Sequence, residues 1–387
     1  MIQPWLNRFA RLDLGFIGSR LLLMLPLIAI ERQAVDQTAA AEGLRDFQSC
    51  FFLSTIAIFG AFEHYVVSKH FLARTIAYLA ARFVAIGIVG ALLDQMGWIN
   101  FSVGIWFFLA TVRGGSGARL VQLRAKPREY LFVFASTAVA VSILLINVDW
   151  WIFAAIPSIA AISWTTSNVK TAHPQQAPCD WTAELRGGTP YFLSQFLSAS
   201  FFQGSLFLYL MLSTDESALV ATRVYLFAFA AIIPVSMAGR AVLVHANELD
   251  AEARSKFLAK GLWITSISGG LGASFIWCFS RWIEQVFYGS ALVSGSSLIF
   301  LGLVVLTHNV SAFLASFIIS IGKIRGQLTS SLAGLATIAI VLGVTYSYYE
   351  AAYACSLFCG SFIGLAMRLS FAMGTSTLRR FVPEMLR

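Results

Sequence analysis

The fold is decided by the stretch VSGSSLIFLGLVVLTHNVSAFLASFIISIGKIR, residues 293–325. From Val293 to Ser320 there is no Asp, Glu, Lys or Arg, and Lys323 and Arg325 then follow at once. An apolar run of about 18 residues or more crosses a hydrocarbon core of roughly 30 Å as a helix. Cations just beyond its end keep that end in the cytoplasm during insertion. The same unit recurs in both directions. Spans are expected near 14–30, 47–67, 75–94, 100–118, 130–147 and 150–166, and again near 189–212, 219–239, 257–279, 293–320, 327–347 and 351–373.

The gaps between these spans alternate in charge. One set, with the adjoining helix ends, carries Lys69 and Arg74; Arg113, Arg119, Arg124, Lys126 and Arg128; Lys170 and Arg186; Arg240, Arg254, Lys256 and Lys260; and Lys323 and Arg325. The opposite gaps, 94–99, 147–150, 213–218 and 348–351, hold no Lys or Arg, only Asp94, Asp149, Asp215, Glu216 and Glu350. Arg32, Arg45 and Arg281 depart from the pattern. Arg8 and Arg11 at one end and Arg379, Arg380 and Arg387 at the other place both termini in the cytoplasm, so a multi-pass protein of a bacterial inner membrane is expected.

Composition agrees. The chain is 58% hydrophobic and 12% charged, where a soluble domain has about a quarter of its residues charged. Trp98, Trp150, Trp151 and Trp282 fall at expected outer helix ends and suit headgroup anchoring. The net charge of +8 is dispersed among loops and forms no patch, so membrane topology explains it and nucleic acid is not expected as a partner. Cys50, Cys179, Cys278, Cys355 and Cys359 give neither a CxxC pair nor a metal spacing. The first apolar run lacks a small-residue cleavage site, so no cleaved leader is expected. Gly114-Gly-Ser-Gly-Ala follows no strand and precedes no Walker lysine, which argues against a nucleotide loop. No cofactor, metal or catalytic constellation is expected, and the chain reads as a non-enzyme.

The longest polar connection, Thr166 to Gly188, carries Pro174, Pro178 and Gly187-Gly188, a linker signature. It divides the chain into an N-terminal six-helix bundle (1–166), a cytoplasmic linker (167–188) and a C-terminal six-helix bundle (189–387). A faint repeat supports the division. The fourth span exits through Phe-Leu-Ala-Thr-Val-Arg from 108, and the tenth through Phe-Leu-Ala-Ser-Phe-Ile from 313. Two such halves usually set a substrate path between them.

The second half also carries an ordered set of features: a helix opening at Pro190, a short acidic turn, Ala218-Leu-Val-Ala-Thr-Arg-Val-Tyr-Leu-Phe, an eighth helix broken at Pro234, the charged stretch Glu248 to Lys260, Val286-Phe-Tyr-Gly-Ser-Ala, and Ile321-Gly-Lys. In that order they resemble the polysaccharide (Wzx-type) flippases of the multidrug/oligosaccharidyl-lipid/polysaccharide (MOP) exporter superfamily. The resemblance covers about 188–375, and the first half joins it more loosely through Ile58-Phe-Gly-Ala-Phe-Glu-His. It implies an all-α fold of about 12 transmembrane helices, in two six-helix bundles around a central cavity. It further implies alternating access and, as cargo, an oligosaccharide on undecaprenyl pyrophosphate, with polysaccharide polymerase or glycosyltransferases as partners beside membrane lipid.

An ionisable group at membrane depth costs roughly 2.5–3.5 kcal/mol on insertion scales and needs a wet cavity or a partner. Arg20, Arg82, Arg223 and Arg368 lie a turn or more inside expected spans, whereas Glu63 is the single intramembrane acid. Guanidinium grips phosphate oxygens through paired hydrogen bonds, so these arginines are candidate ligands for an anionic headgroup. Snorkelling toward the interface, or for Arg82 an ion pair with Glu63, is the alternative. Gln195 and Gln203, eight apart, are candidates for sugar hydroxyls or for interhelical bonds. Glu63, His64 and His308 are candidates for ion or proton coupling, with helix–helix hydrogen bonding as the other reading of His308 and Asn309. Pro26 and Pro234 are candidate hinges. Tyr346, Tyr348, Tyr349 and Tyr353 form either an interfacial belt or a sugar platform. The function expected is a lipid-linked oligosaccharide flippase. The alternatives are an ion-coupled multidrug or small-molecule antiporter of the same superfamily, which should carry a deep acid in its first or seventh helix, and a membrane glycosyltransferase or polymerase, which should carry large outer loops.

Overall fold

A computed structural model of the chain describes residues 21–58, 72–121, 127–167, 189, 192–194, 196–197, 200–346 and 351–373. Every regular element among them is helical. Hydrocarbon offers no partner to a backbone N–H or C=O, and a helix satisfies these groups within one segment. The α-helices are α1 (Leu25–Gln33), α2 (Gln37–Ile58), α3 (Leu72–Gln95), α4 (Val103–Val121), α5 (Pro127–Ile146) and α6 (Trp151–Ser167). After a π-helical turn at Ser200–Gly204 come α7 (Ser205–Leu212), α8 (Asp215–Glu248), α9 (Ala251–Tyr288), α10 (Gly295–Ser320), α11 (Ile324–Thr345) and α12 (Ala352–Met373). Glu252–Tyr288, Gly295–Ser320, Ile324–Thr345 and Ala352–Ala372 are each long and apolar enough to cross a membrane.

Several helices outrun the hydropathy pattern. The span expected from 47 begins at Gln37, that of 219–239 grows to Asp215–Glu248, and that of 257–279 grows to Ala251–Tyr288. Hydropathy marks only the part that sits in lipid, while the polar ends stay helical wherever their terminal groups are capped. Asp250 shows how: its carboxylate accepts from Ala253 N at 2.8 Å, filling one of the orphan donors at the start of α9. At the other end of α9, Gly289 takes φ 74°, the left-handed conformation that glycine adopts without a Cβ clash. The expected break at Pro234 does not occur, and α8 runs through that residue without interruption. One missing N–H costs a single bond, and the helix continues around it. Near Pro26 the helix is interrupted at Leu23–Met24 and restarts at Leu25, which puts the proline at the second helical position.

Two compact units make up the chain: residues 1–199 with 210–216, and residues 200–209 with 217–387. In the first, α2, α4 and α6 meet around Trp151, whose ring lies 5.9 Å from that of Phe47 and 5.5 Å from that of Phe108. This tryptophan, expected at the interface, is buried, while Trp98, Trp150 and Trp282 remain exposed. Gln33 closes the unit by donating to Leu144 O (3.2 Å) and Leu145 O (3.0 Å) and accepting from Val148 N (2.9 Å).

In the second unit α10 is the central helix, packed on α9, α11 and α12. Phe313, Leu314 and Phe317 form its core with Leu258 of α9 and Ala372 of α12. Lipid tails are as apolar as these side chains, so close van der Waals packing, not transfer from water, holds such helices together. Glycine makes the approach possible. A Cβ added at Gly360 of α12 would stand 2.7 Å from Gly334 O of α11 and 2.5 Å from Ile338 Cγ1. Gly360→Ala is therefore expected to lower the thermal unfolding midpoint of the detergent-solubilised protein, by the ~1–3 kcal/mol typical of overpacking. Gly343→Ala, where a Cβ would meet nothing within 4 Å, should leave the midpoint unchanged or slightly raised.

Candidate functional site

The buried charges of each unit define the candidate sites. In the first unit two arginines converge on one turn of α2. Arg113 is 5% exposed; its guanidinium stacks 3.8 Å from the centre of the Phe51 ring and donates to Thr55 Oγ1. Arg82 of α3 donates to the next residue's carbonyl, Ile56 O, at 2.8 Å, with the Phe192 ring 5.1 Å away. The sequence reading grouped Arg113 with the cytoplasmic gaps and the helix ends beside them; its side chain is buried within the unit, ten residues beyond the start of α4 at Val103. Gln48 lies on the same strip of α2 as Phe51 and Thr55. It is completely buried, and neither atom of its amide finds a hydrogen-bond partner among the described residues. Arg20, Glu63, His64 and Gln195 lie outside the described residues.

Toward the end of α2 expected to face outward, Arg45 donates to Leu210 O, Ser213 O and Asp215 Oδ1, each at 3.0 Å. Asp46, just before the expected span, has its carboxyl pushed from an ordinary 3.8 to about 6. Burial is the main cause; a hydrogen bond with Asn100 opposes it, and the charges of Asp94 and Glu42 add to it.

In the second unit, Arg223 of α8 is 2% exposed and pairs with Glu284 of α9 at 3.0 Å. The arginine also donates to Ser290 O at 2.7 Å and lies 4.2 Å from the Tyr288 ring centre. Glu284 Oε1 accepts from Leu292 N (3.1 Å) and Val293 N (3.2 Å) as well. The pair thus pins the connection between α9 and α10. The expectation that Glu63 is the single intramembrane acid is overturned: Glu284 is completely buried. It escaped notice because the apolar pattern ends at 279 while the helix continues to Tyr288.

Arg368 of α12 is 7% exposed. Its Nε donates to Gln327 Oε1 at 2.8 Å, its Nη2 to Ser331 Oγ at 2.9 Å and its Nη1 to Ser311 Oγ. Gln327 and Ser331, an i,i+4 polar pair on α11, were a legible signal that sequence reading passed over. Gln203 sits in the π-helical turn, buried, with its Oε1 lacking a partner among the described residues. His308 packs on Phe201 and Phe202 of that turn, at 5.5 and 4.4 Å between ring centres. Asn309, beside it, is completely buried with both amide atoms unpartnered among the described residues. Tyr353 and Tyr346 both pack on Tyr209, at 5.2 and 5.9 Å. Tyr353 is thus buried, whereas Tyr348 and Tyr349 lie outside the described residues.

The chain has the all-α fold of MATE transporters of the MOP superfamily. An inward-facing multidrug resistance MATE transporter of that superfamily matches with a TM-score of 0.68 and 13% identity, over 94% of this chain and 96% of that one. A MATE transporter in complex with MaL6 matches at 0.67 and 15%, over 96% of each. The Vibrio cholerae MATE transporter VcmN in its bent form matches at 0.60 and 14%, over 97% of each. No family model matches the sequence, and no curated protein matches it.

Two measurements follow from this geometry. Removing one partner of a buried ion pair strands the other, typically at about 3–5 kcal/mol. Arg223→Gln and Glu284→Gln should each lower the unfolding midpoint strongly, and the double variant should lie above the sum of the two losses. Asp46 has the opposite signature. Its folded value lies above its ordinary one, so the native state loses stability as pH rises from 3.8 to about 6. Asp46→Asn should be more stable than the parent above that window and equal to it below, in unfolding followed across pH.

Proposed function

We propose that the protein is a transporter that moves an anionic, lipid-linked saccharide across the bacterial inner membrane by alternating access. One observation carries the reading. Among the described residues the buried charged side chains are Arg113, Arg223, Arg368 and Glu284; Glu284 is paired with Arg223, and Arg368 is held through neutral side-chain oxygens. Arg82, partly buried, donates at the same turn of α2 as Arg113. A phosphate-bearing headgroup is attracted by a guanidinium held by neutral groups, and a cation is repelled by it. Guanidinium binds phosphate through parallel hydrogen bonds, while the prenyl chain stays in lipid. The resemblance of the second half to polysaccharide flippases points the same way. The fold, shared with proteins described as multidrug transporters, supplies the second reading, a drug antiporter.

The test is translocation of a fluorescent short-chain prenyl-diphosphate saccharide in vesicles carrying the purified protein. Losing one charge-assisted hydrogen bond, worth ~1.5–3 kcal/mol, should slow translocation about tenfold or more in Arg82→Gln, and Arg82→Lys should recover part of it. Absent saccharide translocation together with gradient-driven efflux of a cationic dye would replace this reading with the antiporter.

A further inference from the structure

The connection between α3 and α4, at the end of the first unit expected to face outward, is fastened along its length. Gly97 takes φ 69°, and the turn it allows closes as Trp98 N donates to Leu93 O at 3.0 Å. Phe101 N donates to Asp94 Oδ1 of α3, also at 3.0 Å. The Phe101 ring covers Gly90 of α3, where an added Cβ would stand 2.6 Å from its Cε2 and 3.0 Å from Leu53 Cδ1 of α2. Cys50 Sγ of α2, completely buried, donates to Ser102 O at 3.5 Å. One turn before Cys50, the carboxyl of Asp46 shares a hydrogen bond with Asn100.

Asp46 is the member of this seam that answers to pH. The charges of Asp94 and Glu42 act on it in the same direction as burial, against ionisation. The other charged groups at this end are few. Helix α1, which meets α2 where Ile30 faces Gly43, brings Glu31 and Arg32, and the α5–α6 connection brings Asp149. Arg45 of α2 is engaged with Leu210 O, Ser213 O and Asp215, next to Glu216. The first charged residue of α4 is Arg113, almost three turns along the helix, and α6 has none. An ionised Asp46 is short of water here and meets two like charges. A protonated one escapes both penalties and has an O–H to give to Asn100 or Asp94. The closed seam therefore holds the proton more tightly than water-exposed Asp46 does, and the proton by the same factor favours the closed seam.

We propose that Asp46, Asn100 and Asp94 form a proton-operated clasp: with Asp46 protonated the α3–α4 connection is held on α2, and with the proton gone the connection loosens and water reaches Cys50. Closure is fully supported below the ordinary 3.8 of a carboxyl and weakens as pH rises through about 6. Acid stiffens this end of the unit and neutral pH frees it. The opening is local, a loop and its two anchoring turns, while the cores of α2 and α4 stay packed around Trp151. The clasp takes no part in recognising cargo, so it stands apart from the proposed function and survives its failure.

The test follows alkylation of Cys50 by N-ethylmaleimide in the full chain in detergent, read on the Cys50 peptide by mass spectrometry. Thiolate chemistry alone raises such a rate with pH, so each rate is divided by that of Asp46→Asn, neutral throughout, at the same pH. The ratio should be near one at about pH 5 and about tenfold at about pH 8, the Asp46 shift being discounted for its partial exposure. Asp94→Asn removes one like charge and should move the rise to lower pH. Asn100→Ala lacks the fastening bond, and its Cys50 should react several-fold faster than the parent's already in acid. Hydrogen exchange at the Phe101 amide of the parent, corrected for its intrinsic pH dependence, reads the clasp with no substitution, and its protection should fall over the same range. A ratio or a protection that stays constant with pH, a rise that Asp94→Asn leaves in place, or an Asn100→Ala rate equal to the parent's in acid overturns the proposal.

Discussion

A guanidinium among lipid tails is costly, and the helices of this protein are arranged around that cost. Arg113 finds an aromatic face and a threonine hydroxyl, Arg223 a carboxylate and a backbone carbonyl, and Arg368 a ring of neutral oxygens. Each solution joins different helices: α4 to α2, α8 to α9, and α12 to both α10 and α11. In a membrane the apolar contact surface offers no transfer gain, so these polar links, with glycine-permitted close packing, specify which helices neighbour one another.

The three solutions differ in what they leave over. The Arg223–Glu284 pair is internally neutral, and Oε1 of the acid also collects the N–H groups of Leu292 and Val293. Such an arrangement fixes a loop and has little charge left for a ligand. Arg368 is the reverse. Its hydrogen bonds are satisfied in part and its charge is not, and its oxygen partners are small hydroxyls and an amide that can turn toward a better acceptor.

The membrane class and the helix order were legible because both rest on long-range averages: runs of apolar residues and the sidedness of Lys and Arg. The spans expected at 219–239, 257–279 and 293–320 fall inside described helices, while ends were placed poorly, since a segment such as Arg281–Tyr288 is polar and helical at once. The same blind spot hid Glu284. Trp151 misled for a related reason: tryptophan at a helix end suits either the interface or a core, and only the rings of Phe47 and Phe108 decide between them. Arg113 was within reach. It lies more than a turn inside the span expected at 100–118, as Arg20, Arg82, Arg223 and Arg368 do in theirs. Which carboxylate meets which arginine was not legible, because Arg223 and Glu284 are 61 residues apart and nothing in either local pattern names the other.

The sign of the interior bears on the choice between cargoes more than the fold does, since fold alone hosts unrelated substrates. The antiporter reading expects an acid deep in the first or seventh span, and neither 14–30 nor 189–212 contains Asp or Glu. Glu284 is already committed: its Oε1 meets Arg223 and accepts from the N–H groups of Leu292 and Val293. Asp46, raised to about 6 mainly by burial, sits within α2 near Asp94 and Glu42, whose charges also oppose its ionisation. Among the buried guanidiniums of the described helices, Arg368 is held through neutral side-chain oxygens.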